Sequence, residues 1–343
     1  MRKLLNTLFI TSEDAYAALD GENVLVKKGE EITARFPLHM LEAIISFSYA
    51  GASPALMGAC AERNVGLAFC SPRGRFLART CGKSRGNVLL RKAQYRISDS
   101  EDSSCLIARN FLFGKVSNAR VCLDRMQRDH SQRISNEQFS SASATLKILL
   151  PQIMNCMSLD ALRGFEGVAA STYFNCFDQM ILGDKENFYF SGRNRRPPLD
   201  RVNALLSFVY TLLGSACTSA LETVGLDAYV GFLHRDRPGR TSLAQDMMEE
   251  LRPCFADRFV LSLINNRMVS ANDFEVQPNG AVLLTEDSRK TVLQQWQKRK
   301  SEVITHPYLG EKIAWGLVPY VQALLLARYI RGDLDAYPPF LWR

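Results

Sequence analysis

Between Gly225 and Arg258 the chain reads GLDAYVGFLHRDRPGRTSLAQDMMEELRPCFADR, and His234, Asp246 and Glu249 within it are ligand types that a divalent cation takes from a protein. The second half of the stretch has helical character. Ser242 is placed to cap that helix while Gln245, three residues on, reaches back to its backbone amide, so a capping box starts the helix just before Asp246. Asp246, Glu249 and Glu250 then stand at i, i+3 and i+4 and share one helical face. Three carboxylates on one face repel one another unless a cation or arginines answer them, and Arg235, Arg237, Arg240, Arg252 and Arg258 all lie close by. Charge of both signs at one place suits a metal together with a phosphate.

A further ligand is expected from Glu166, in the helical segment SLDALRGFEGVAASTYFNCFD. Either this glutamate faces solvent or, among Phe165, Val168 and Ala169, it has a partner. Gly164 and Gly167 flank it, each costing roughly 1 kcal/mol of helix stability relative to alanine, which is tolerated where another backbone or a ligand comes close. His234 reads as a ligand or as a hydrogen-bonded loop histidine. His306 has no carboxylates at ligand spacing and reads as structural, and His39 and His130 carry no more than packing or surface roles. The segment Ser191–Arg201, SGRNRRPPLDR, sets Arg193, Arg195, Arg196 and Arg201 against the single acid Asp200, with Pro197-Pro198 stiffening the loop. It is expected either to bind phosphate or to be a solvated loop. Lys298-Arg299-Lys300 is a less specific basic run, either a phosphate contact or merely the exposed end of a helix.

These residues need elements to hold them. Over residues 7–36 apolar positions alternate in the manner of strands, with breaks at Asp20-Gly21 and Lys27-Lys28-Gly29, and strands are also expected at 42–47, 65–70 and 74–78. SPALMGACAERN is expected to be a helix with Ser53 as cap and Pro54 in its first position. The polar segment TCGKSRGN, with two glycines, marks a boundary. Beyond it the period lengthens, and helices are expected at 88–97, 104–128, 135–157, 158–182, 199–223, 242–266 and 310–331, with one hairpin across Pro278-Asn279-Gly280. The fold class is therefore α+β: a small β-rich domain at 1–80, a linker at 81–87 and a larger, mainly α-helical catalytic domain at 88–343. The nine cysteines form no C-x-x-C pair and are expected to be reduced, buried fillers. The front of the chain offers neither a leader nor a membrane span, so a cytoplasmic location is expected. A net charge of +7 favours an anionic partner.

GEEITARFPLHMLEAI, SPALMGACAERNVGLAF, RGNVLLRKAQYR, LRGFEGVAASTYF, FSGRNRRPPLDRVNALLSFVYTLL, VGFLHRDRPGRTSLAQDMMEELRP and ARYIRGDLDAYPPFLWR together resemble the CRISPR-associated integrases that insert new spacers, and the last three stretches resemble the subtype I-C branch. The resemblance implies a β-rich front domain that forms a homodimer and an α-helical catalytic domain. By motif it implies a magnesium or manganese ion held by Glu166, His234 and Glu249, with Asp246 as the adjacent active-site acid. Gln245 departs from the aliphatic residue common before that aspartate. A small ferredoxin-like adaptation protein and a RecB-like nuclease are the implied partners, and short DNA duplexes and the CRISPR repeat the implied substrates. DNA phosphates are expected on Arg193, Arg195, Arg196, Arg235, Arg237 and Arg240. The same ligands would serve a metal-dependent nuclease acting on branched or single-stranded DNA in repair, while a non-catalytic DNA-binding scaffold would pair its acids with arginines alone.

Overall fold

The alternating runs at the front of the chain become strands, seen in a computed structural model that describes residues 6–72, 76–80, 82, 88–194 and 197–342. Ala15–Asp20 (β2), Asn23–Lys28 (β3) and Glu31–Pro37 (β4) form an antiparallel sheet, and Gly21 takes the left-handed φ of +56° that the β2–β3 turn demands. Thr7–Ile10 (β1), Ala43–Ser46 (β5) and Gly66–Cys70 (β6) pair in parallel, and Phe76–Arg79 (β7) runs antiparallel to β6. The helix Pro54–Glu62 (α1) has the expected cap: Ser53 Oγ accepts from the Leu56 amide at 3.2 Å and Pro54 takes the first turn. Ala17, Val24, Ile44, Leu56 and Cys60 make the core between these elements. Leu25 is buried, whereas Ile32 and Phe36 on β4 are exposed.

From residue 88 the chain is helical: Val88–Ser98 (α2), Glu101–His130 (α3), Asn136–Met154 (α4), Leu159–Phe177 (α5), Arg201–Val224 (α6), Ser242–Glu249 (α7) and Arg258–Asn265 (α8). Serines 100, 135 and 158 cap α3, α4 and α5 by accepting a backbone N–H three residues on, and these three helices pack against one another. Asp200 caps α6, and Gly225, with φ +90°, ends it. By length and composition α6 could cross a membrane; it is instead mostly buried in the bundle.

The segment 242–266 is not the single helix expected. Pro253 has no N–H to offer, and Arg252–Asp257 widens into a π turn in which the Ala256 amide reaches Leu251 O at 3.4 Å. Nor does the capping box form. Thr241 stands at the N-cap without a side-chain bond, Ser242 Oγ donates to Arg235 O, and the carbonyl of Ala228 accepts the Leu243 amide at 3.0 Å in the cap's place.

Glu286–Ser301 (α9) is a helix the apolar pattern did not disclose, and the short strands Phe274–Val276 (β8), Val282–Leu284 (β9), Val303–Thr305 (β10) and Lys312–Ala314 (β11) accompany it. The expected helix from 310 begins only at Val318–Ile330 (α10), which packs on α6. The chain divides into two compact units. Met1–Arg85, Leu283–Val303 and Ala314–Leu317 form the first; Gly86–Val282, Ile304–Ile313 and Val318–Arg343 form the second. Thus α9 belongs with the front strands, and Lys300, expected at an exposed helix end, is buried against Glu42 and Thr7, 3.2 Å from each. Most of the boundary segment 80–87 lies outside the described residues. Of the described cysteines, seven are buried and Cys156 is half-buried, with burial pushing the Cys60 thiol up to about 12.

Candidate active site

All the acids of the candidate site lie in the helical unit, and the loop that carries His234 is fastened from two sides. Gln94 on α2 donates to the carbonyls of Asp227 and Val230 at 2.8 and 2.9 Å and accepts the Asp227 amide. Arg163 on α5 donates to Leu233 O at 3.0 Å, while Asp160 holds both Arg163 and Arg235. Glu166 follows Arg163 by three residues, so the bonds that pin the loop also set its register to Glu166.

Asp246 is wholly buried and fully committed. One oxygen accepts the Phe232 and Leu233 amides at 2.7 and 3.0 Å; the other accepts the His234 amide at 3.0 Å and lies 2.6 Å from His234 Nδ1. Gly231 is required at this turn, since a Cβ there would fall 2.8 Å from Ser242 Cβ and 3.0 Å from Asp246 Oδ2. With Nδ1 engaged, His234 presents Nε2, which lies 4.0 Å from Glu249 Oε1. A carboxylate that fixes the far nitrogen of an imidazole is the usual support for a metal-binding histidine.

Glu249 is the centre of charge. Arg252, one turn on, meets its Oε1 at 2.8 Å, and Lys115 from α3 lies 2.7 Å from Oε2. Burial pushes this acid up, but Arg252, Lys115 and His234 outweigh burial and hold it at about 2. Lys115 also pairs with Glu166, so one ammonium bridges two of the expected ligands. Oε2 has no partner among the described residues other than that ammonium. No group of three acids, histidines or cysteines stands at metal-binding distance among the described residues. Glu166, Glu249 and His234 Nε2 nonetheless suit an oxygen-rich, single-histidine cation site once an ion takes the place of the ammonium.

The expectation that Asp246, Glu249 and Glu250 share a face fails at Glu250. That carboxyl turns away into a separate buried cluster with Tyr337, Gln322 and the Phe340 amide; burial pushes it up to about 7 against the pull of those bonds. The open space around Gly164 and Gly167 shows that no described backbone requires them. His306 is buried against Gln322, in keeping with a structural role.

The basic residues divide. Arg193 is turned inward, donating to Asn194 O at 2.7 Å and Asn203 Oδ1 at 2.6 Å, with its guanidinium 5.2 Å from the centre of the Tyr210 ring. It lines a cavity of about 540 Å³ that also takes in Lys115, Glu166, Phe174, Tyr210 and Arg252. Arg195 and Arg196 lie outside the described residues. Arg235 and Arg237 are exposed, and Arg240 is half-buried. Sequence reasoning missed Lys115 and the role of Arg252. The signal for Lys115 was present: it falls on the buried stripe Phe111, Leu112, Val116, Ala119 of α3, where a lysine needs carboxylates.

Residues 8–298 match the family model of the CRISPR associated protein Cas1. A relative from Chlorobaculum tepidum named CRISPR-associated endonuclease Cas1 1 is 49% identical over the full length of both chains. A Geobacter sulfurreducens protein, named a CRISPR-associated exonuclease Cas4/endonuclease Cas1 fusion, is 35% identical over 98% of this chain and 60% of its own. Among solved structures, a casposase bound to an integration product superposes with a TM-score of 0.83 at 22% identity, covering 98% of this chain and 94% of that one, a likeness of fold.

Proposed function

Because the chain belongs to the Cas1 family of CRISPR-associated endonucleases, we propose that it is a CRISPR adaptation integrase, one that joins short DNA duplexes into the CRISPR repeat as new spacers. In this reading the 3′-hydroxyl of the duplex attacks a phosphodiester at the repeat edge; one P–O bond forms, another breaks, and a new 3′-hydroxyl leaves with a proton. Glu166, Glu249 and His234 Nε2 would hold magnesium or manganese, which supplies polarisation of the phosphate and stabilisation of the leaving oxygen. Asp246 keeps Nε2 of His234 facing that position by holding Nδ1 and three successive amides. Arg252 keeps Glu249 ionised and adds positive charge beside the reacting phosphate. The observation that carries the reading is Glu249, a buried acid held ionised between Arg252 and Lys115 with its Oε1 facing His234 Nε2.

The test supplies a supercoiled array plasmid, a labelled short duplex, manganese and the small ferredoxin-like partner. Label joined at a repeat edge is expected; cleavage without joining would support the repair-nuclease reading instead. Pairing of Glu249 with Arg252 and Lys115 is also what a scaffold would show, and equilibrium dialysis finding no manganese bound would leave only that. The motifs noted above support the I-C branch, and the fusion of an exonuclease to a relative supports a nuclease as a partner, which the resemblance makes RecB-like.

Exposed Ile32, Phe36 and Met40, on or beside the β4 edge, support a homodimer formed by the front unit. Light scattering at monomer mass would sink that. Among the described residues, Arg235 and Arg237 are the exposed candidates for phosphate contacts. Replacing both with alanine should flatten the dependence of log K on log salt by about 0.9 per lost contact on duplex DNA, and an unchanged slope would return them to ordinary surface residues.

A further inference from the structure

Glu249 and Glu250 are consecutive, so their side chains leave α7 roughly 100° apart, one toward the candidate site and the other toward its back. Behind the helix, the segment Tyr337–Trp342 is stitched to it. Tyr337 Oη donates to Glu250 Oε1 and the Phe340 amide donates to Oε2 at 2.5 Å, while Gln322 donates to Tyr337 Oη at 2.7 Å and is itself held by His306 at 3.1 Å. Asn118 donates from Nδ2 to Glu250 O at 2.7 Å and to Phe340 O at 2.8 Å, and its Oδ1 accepts the Trp342 amide at 2.8 Å. Arg125 and Arg258 lie 4.0 and 4.2 Å from the centre of the Trp342 ring. Asn118, Glu250, Gln322, Tyr337 and Phe340 are all essentially without solvent access.

α3 fastens α7 on both sides, at the Glu249 carboxylate on one and at the Glu250 backbone carbonyl on the other. On α3, Lys115 reaches Glu249 and, one turn later, Asn118 reaches Glu250. Gly114 lets the three pieces meet, since a Cβ there would stand 3.0 Å from Glu250 Cβ and 3.1 Å from Pro339 Cβ. A helix of only eight residues, running into a π turn, is placed by its tertiary contacts more than by its own hydrogen bonds. Without the donors of the segment, the buried Glu250 carboxyl would keep only the long bonds from Gln322, at 3.3 and 3.4 Å, and relieving that under-satisfaction favours a turn or opening of α7. Either movement carries Asp246 and Glu249 with it.

We propose that Tyr337–Trp342, with Asn118 and Gln322, is a positioning clasp that sets the rotation of α7 and thereby the placement of Glu249 and Asp246 at the active site. The metal side of this statement rests on the function proposed above. Tyr337→Phe removes one hydroxyl while retaining the ring that packs 4.9 Å from Phe111, and Asn118→Ala removes the second attachment. Hydrogen–deuterium exchange of residues 242–250 and manganese binding by calorimetry are read on each variant well below its melting temperature. Exchange in 242–250 is expected to quicken about tenfold or more while α4 keeps its protection. Manganese affinity is expected to fall about tenfold, as for other residues that orient metal ligands. Unchanged exchange in 242–250, with only a lower melting temperature, would overturn the clasp. A parent protein that binds no manganese would overturn the metal reading instead, and exchange would still decide the clasp. Should Tyr337→Phe not fold, Trp342→Ala, which frees the far end of the segment, is read in the same way and decided by the same two results.

Discussion

His234→Ala and Glu166→Gln should each slow strand transfer by about 10³-fold, the scale set by losing several kcal/mol of charge stabilisation at the phosphate. Both variants should keep the fold. The partners left behind are buried but stay satisfied, since Asp246 still accepts the Phe232, Leu233 and His234 amides and Lys115 still pairs with Glu249. Glu249→Gln should be equally inactive but a poorer witness, because it also removes the charge that answers Arg252 and Lys115 and so destabilises the protein. Single-turnover transfer at saturating duplex, with a melting curve for each variant, separates the two effects. Full activity in His234→Ala or Glu166→Gln, with manganese affinity unchanged, would remove that residue from the site.

Much of this was legible in the chain because it rests on local signals. Ser53 before Pro54, Ser135 and Ser158 mark helix starts that the structure keeps, since a cap needs only its own next three residues. Asp20-Gly21 marks its turn for the same reason. What escaped depends on distant partners. In α9 the buried positions Val292, Leu293 and Trp296 are too few for an apolar stripe to stand out among its charges, and only contact with the front strands makes sense of Lys300. Glu250 shares the spacing of its neighbour but is claimed by Tyr337, 87 residues away in sequence. Ser242 satisfied the pattern of a cap, yet Ala228 reached the helix start first, because Gly231 brings that loop against α7. Lys115 was visible as a charge in an apolar stripe, but nothing near it in sequence named Glu166 or Glu249.

Lys115→Met should lower the melting temperature of the metal-free protein more than His234→Ala or Glu166→Gln does, and manganese should restore more stability to it than to the parent. In the parent, one largely buried ammonium answers both Glu166 and Glu249. Removing one partner of a buried ion pair costs about 3–5 kcal/mol, and the lower end applies because Arg252 still holds Glu249 and Glu166 reaches solvent. At roughly 2–4 °C per kcal/mol for a unit of this size, the loss is readily measured. An ion entering the parent must displace the ammonium before it reaches the two carboxylates; in Lys115→Met it meets them unpaired, so its binding and its stabilisation of the fold are both larger. Melting curves of parent and variant across a manganese series read this directly. Equal shifts with manganese would mean that the ion, if it binds, does so without displacing Lys115, and the ammonium would then belong to the site during reaction as a fixed positive charge beside the phosphate.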